Sequence, residues 1–146
     1  MTILGRPVTG VHTGGNEARV DRRCVEEFLR LVDTILADRT VEAFRWNQYT
    51  PFENPGGECL FGADRIEVKL RGGVFTHPDD IIERMPGPGG YRLQVRPEYE
   101  QVFAALHDLE EMFDLCADLL KEAFGDHAEI TATRDGFDVA KYDNHE

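Results

Sequence analysis

From Asp21 onward, apolar side chains recur at spacings of three and four: Cys24, Val25, Phe28, Leu31, Val32, Ile35 and Leu36. That spacing is the period of one helical face. Asn16 or Asp21 supplies a side-chain acceptor for the first free amides, so the pattern predicts an amphipathic helix that ends near Asp38. Residues 41–49 change to aromatic and β-branched types, with Phe44 and Trp46 two apart, and predict a strand. Residues 49–58 hold two prolines and two glycines and predict a loop. Ile66, Val68 and Leu70 then alternate with Arg65, Glu67 and Lys69, so this strand has one packed and one wet face. A short strand is expected at 59–61, and Gly72-Gly73 ends the pairing.

The second half begins with a Gly/Pro-rich connection at 71–96. It is expected to hold a short helical turn from Pro78 and then a loop at 85–90, where Met85 is followed by Pro-Gly-Pro-Gly-Gly. Pro97 suits the first turn of the strongest helix in the chain, which is expected to run unbroken to Phe124 and stop at Gly125. Its stripe is Val102, Leu106, Leu109, Phe113, Cys116 and Leu120, widened by Phe103, Met112, Leu119 and Phe124. Residues 128–133 and 137–142 flank Asp135-Gly136, a dipeptide suited to a type I′ turn. A hairpin centred there pairs Ala132 with Val139 and Ile130 with Lys141, placing Ile130, Ala132, Phe137 and Val139 on one side. Residues 1–15 lack periodicity and read as a mobile arm or an edge strand. The order predicts a single α+β domain over 1–146, with two amphipathic helices packed on one face of a small, mostly antiparallel sheet.

Composition adds exclusions. A chain of 146 residues with 41% hydrophobic side chains, nine of them Phe, is long enough for a self-sufficient core. Sixteen basic against 28 acidic residues give a net charge of −12, which disfavours direct nucleic-acid binding, because such affinity comes from Lys and Arg neutralising phosphates. Serine is absent, which removes Ser-His-Asp catalysis, and there is no phosphate-loop motif. Cys24, Cys59 and Cys116 stand far apart in odd number, so a reducing, cytoplasmic setting is the expectation. No apolar run is long enough to cross a bilayer, and no membrane partner is expected.

Several residues invite chemistry. Arg45, Trp46, Gln48 and Tyr49 combine flat apolar surface with hydrogen-bonding tips, as binding sites do. The same residues also fit a core strand whose polar members tie down a proline loop. Cys59 lacks a neighbouring base and reads as a small buried hydrophobe. His107, Glu111 and Asp114 share a helical face, yet the first helix offers no histidine to complete a metal site. No metal and no cofactor is expected. Residues 97–124 hold eight acidic side chains against Lys121 alone, and Asp114, Asp118 and Glu122 follow one another at spacings of four. Such a run is either a solvated face or a surface for a basic partner.

Two strings carry a resemblance. Arg45-Trp46-Asn47-Gln48-Tyr49-Thr50-Pro51-Phe52 is followed by Gly56-Gly57-Glu58-Cys59-Leu60-Phe61, and Phe124-Gly125-Asp126-His127 leads into Thr131-Ala132-Thr133-Arg134-Asp135-Gly136. The chain resembles an uncharacterised family of small phage and bacterial proteins with these stretches, and departs from it at Glu53-Asn54-Pro55-Gly56 and in the Pro/Gly insert at 85–90. The resemblance implies kinship and no reaction. The leading expectation is therefore a non-enzymatic, acidic accessory protein of phage or prophage type that binds a protein partner through Asp114, Asp118 and Glu122 or through the Trp46 loop. One alternative is a small-molecule or nucleotide binder, or a hydrolase, with a pocket at Arg45, Trp46, Gln48 and Tyr49. Another is a virion component, and self-association into a homo-oligomer is left open.

Overall fold

The computed structural model describes residues 2–10, 21–50, 61–78, 82–95 and 97–141. The expected proline loop, Cys59 and the acidic tail lie outside these. The described elements run β1 (Thr2–Ile3), β2 (Arg6–Gly10), α1 (Arg22–Ala37), β3 (Val41–Tyr49), β4 (Gly62–Leu70), β5 (Phe75–Thr76), β6 (Ile82–Gly87) and β7 (Gly90–Val95). They continue through a 3₁₀ turn at Pro97–Tyr99 to α2 (Glu100–Leu115), α3 (Ala117–Phe124), β8 (Ala128–Thr133) and β9 (Gly136–Lys141). The class is α+β. The main sheet is mixed, ordered β1-β2-β9-β8-β3-β4-β5, and the pair β2–β9 is parallel. Strands β6 and β7 form a separate hairpin.

Helix α1 starts where the sequence places it. Asp21 is its N-cap, and the carboxylate accepts from the amide of Arg23 at 2.8 Å. Its buried residues, Phe28, Leu31, Val32, Ile35 and Leu36, are those of the apolar stripe. Phe28 meets the sheet edge-on at Trp46, 5.9 Å between ring centroids. Trp46 also touches Phe113 of α2 at 5.3 Å and Phe124 of α3 at 5.9 Å. One indole thus receives a ring from each described helix, and such pairs add to what burial alone contributes.

The second helical segment is two helices. The chain breaks at Cys116, with φ −124° and ψ 36°, and its amide closes α2 on the Met112 carbonyl at 2.8 Å. No Gly or Pro marks the break, and the apolar stripe continues through it, so the sequence pattern shows one helix where the backbone forms two. The glycine-rich connection also differs from expectation. Residues 82–95 form a two-stranded hairpin, with Gly87 paired to Gly90 around Pro88-Gly89. Proline before a glycine at φ +78° suits a type II turn, so the residues that read as loop punctuation are turn residues.

The last hairpin keeps its faces but not its register. Ile130 pairs with Val139, Ala132 with Phe137 and Thr133 with Gly136, so the turn is Arg134-Asp135. This differs by two residues from the register read from the sequence, and an even shift leaves each side chain on its original face. Gly136 has φ +131°, and a Cβ there would lie 2.1 Å from the carbonyl oxygen of Pro7. Glycine is needed because β2 runs hard against it. Where the sequence left an arm or an edge strand, β2 pairs Val8 with Phe137, and Arg6 clamps Asp33 of α1 through two 2.8 Å contacts.

Candidate functional site

The expected site residues divide by strand parity. Trp46 and Gln48 point into the core and are fully buried. The indole N–H of Trp46 donates to Gln48 Oε1 at 3.0 Å, while Gln48 Nε2 donates to the carbonyls of Leu120 and Gly125 at 2.9 and 2.6 Å. Gln48 therefore closes the carbonyl end of α3. Neither side chain lines a surface.

Arg45 and Tyr49 alternate with them and face the other way. Arg45 donates to Glu67 at 3.0 Å and lies 4.0 Å over the Phe75 ring. Tyr49 hydrogen-bonds Asp64, whose carboxyl is pushed above its ordinary pKa by burial, against the lowering effects of Arg65 and the Tyr49 hydroxyl. Asn47 pairs with Asp64 across the strands, and β4 carries one extra residue before the Arg45–Glu67 pair. Arg65 sits in that bulge with φ +56°.

The acidic helix is also divided. Asp114 is exposed on α2, while exposed Asp118 and half-buried Glu122 belong to α3 beyond the break. They do not form one straight ridge. His107 and Glu111 are a surface pair at 3.5 Å, and among the described residues no group of three His, Cys, Asp or Glu can hold a metal.

What the fold does assemble is a groove of about 380 Å³ between α1 and α2. Cys24 and Cys116, both in the lining, form a disulfide, and Met112 and Leu115 supply apolar surface. Glu27, Asp108 and Glu111 add three carboxylates, against Arg23 alone. Leu115 is 84% exposed, one of two large exposed hydrophobics among the described residues. No protein-family model, no curated protein and no solved structure matches the chain.

Sequence reasoning missed Glu27, Asp108, Glu111 and Leu115 as a group. One signal was present: Leu115 lies off the stripe formed by Val102, Leu106, Leu109, Phe113 and Cys116, as an apolar residue with no core position to fill. The disulfide corrects the expectation of unpaired thiols. Its cysteines are 92 residues apart, and only tertiary packing brings their Cα atoms to 5.9 Å.

Proposed function

We propose that the protein is a non-enzymatic binding protein that seats a basic, amphipathic segment of a protein partner in the α1–α2 groove. The observation that supports this reading is Leu115, solvent-exposed in a lining that also holds Glu27, Asp108 and Glu111. A lone exposed leucine is ordinary on a protein surface, but Leu115 lies with Met112 and the Cys24–Cys116 disulfide in one concave apolar lining rimmed by carboxylates, and an apolar patch rimmed by polar groups is a mark of an interaction surface. An apolar anchor of the partner would cover Leu115 and Met112, and Lys or Arg on either side would meet the carboxylates. Asp114, Asp118 and Glu122 extend the negative field that attracts such a partner. In this reading the helices form one layer over one face of a mostly antiparallel sheet, and the phage or prophage affiliation rests on the two strings alone.

The reading is tested by capture of cationic proteins on the immobilised chain, with two charge-reversal sets. Asp108→Lys with Glu111→Lys abolishes capture, and Asp114→Lys, Asp118→Lys and Glu122→Lys together slow association. If the first set captures as well as the parent, the groove is not the docking site.

A second reading has one observation in its favour. Tyr49, Asn47 and Asp64 stand together on the sheet face away from the core, and Asn47 is nine-tenths buried. A small ligand with hydrogen-bonding edges would suit that face. A thermal-shift survey of nucleotides, repeated on Tyr49→Phe, separates it from the docking reading.

A further inference from the structure

The Cys24–Cys116 bond connects two particular points. Cys24 lies in the first turn of α1, three residues after its N-cap, and Cys116 is the single residue between α2 and α3. The bond therefore staples the helix break to the start of α1. Both cysteines are half-buried and both line the groove. A disulfide sealed in a core is inert because no thiolate reaches it, whereas one that lines an open groove can be attacked.

Charge decides what can approach. The groove lining that holds the bond carries Arg23, Glu27, Asp108 and Glu111, and Glu27 is bound by Arg30 from the next turn of α1. Carboxylates outnumber cations in the groove itself. The attacking group is a thiolate, so an otherwise anionic reagent is repelled and a cationic one is drawn in.

We propose that Cys24–Cys116 is an exchangeable disulfide, reduced through the α1–α2 groove by a thiol that carries positive charge, such as a dithiol on a basic protein. The incoming thiolate forms a bond to one of the two sulfurs as the Cys24–Cys116 bond breaks. The other cysteine leaves with the electron pair and takes a proton from water. The second thiol of the reductant, as its thiolate, then attacks the sulfur of the first, forming the reductant's own disulfide and displacing the remaining cysteine, which leaves with the electron pair and takes a proton from water. Two electrons pass from the dithiol to the pair. With the bond open, the break at Cys116 is held to α1 by packing alone, and the core built on Phe28, Trp46, Phe113 and Phe124 is retained. The inference rests on the groove's geometry and charge and not on the docking reading.

The test uses the native full chain, treated without denaturant with cysteamine (cationic), 2-mercaptoethanol (neutral) or glutathione (anionic) at matched thiolate concentration. Samples are quenched with iodoacetamide, and the peptides holding Cys24 and Cys116 are read by mass. With each rate divided by the same reagent's rate on an uncharged small-molecule disulfide, which removes differences in intrinsic nucleophilicity, the expected order is cysteamine, mercaptoethanol, glutathione, with about fivefold between neighbours. That spread narrows in 1 M salt, where the screening length falls to ~3 Å. Asp108→Lys with Glu111→Lys reverses the order, and far-ultraviolet circular dichroism shows the same secondary structure before and after reduction. Reduction that requires denaturant overturns the proposal, as do equal rates for the three reagents or alkylation of both cysteines before any reductant is added.

Discussion

The indole N–H of Trp46 donates to the side-chain oxygen of Gln48, two residues along the same strand, at 3.0 Å inside the core. The Gln48 amide nitrogen then satisfies two carbonyls at the end of α3. One polar side chain thus ties β3 to the helical layer where apolar contact alone would leave the Trp46 N–H and the Gly125 carbonyl unpaired.

Gln48→Leu keeps the volume close but strands the Trp46 N–H and the Gly125 carbonyl, and removes the second bond on the Leu120 carbonyl, which keeps its helical one. Each buried polar group left without a partner costs about 1–3 kcal/mol. A loss of roughly 2 kcal/mol or more is expected in urea unfolding. A loss below about 1 kcal/mol means that this network does not hold α3 in place.

Gly136→Val places a side chain where the Pro7 carbonyl lies, and does so at positive φ. The β2–β9 pairing should open first. Amide exchange is expected to accelerate at Val8, Thr9 and Gly10 more than at Ile130 or Ala132, with a net loss of about 2 kcal/mol or more. A variant as stable as the parent, with those amides still protected, contradicts the close apposition of Pro7 and Gly136.

Asp64 supplies a pH dependence of known sign. Its folded-state pKa is raised, first by burial, so its contribution to stability is fully present below the unfolded-state pKa and is lost as pH rises through the folded-state value. At neutral pH the charged form is therefore a small liability. Asp64→Asn should raise the melting temperature at pH 7 while leaving it unchanged near pH 3. Equal shifts at both pH values would place the effect in packing and not in ionisation.

How far the sequence reveals this molecule depends on the range of the interaction concerned. Helix α1, strand β3 and the 65–70 part of β4 were legible because their patterns repeat locally, while residues 62–64 of β4 lie beyond the bulge at Arg65, where the alternation stops. The break at Cys116 was not, since the apolar stripe crosses it and its partner in the disulfide is 92 residues away. The hairpin at 82–95 was hidden because Pro88-Gly89 signals a turn and a loop equally well. Gly136 was assigned to the turn, while the structure uses it to admit β2, a parallel neighbour from the other end of the chain. The candidate groove was least legible. It draws on Glu27, Asp108 and Leu115, which share no motif and meet only when α1 packs on α2.

The docking claim is tested most directly by titrating the ¹⁵N-labelled chain with a lysine-rich amphipathic helical peptide carrying a single phenylalanine, and following the amide resonances. The account predicts saturable shifts concentrated at Arg23, Glu27, Asp108, Glu111, Met112 and Leu115, lost in 1 M salt and weakened about tenfold by Leu115→Asp, a change equivalent to ~1.4 kcal/mol. Shifts spread evenly over the acidic surface, or unaffected by Leu115→Asp, would contradict it.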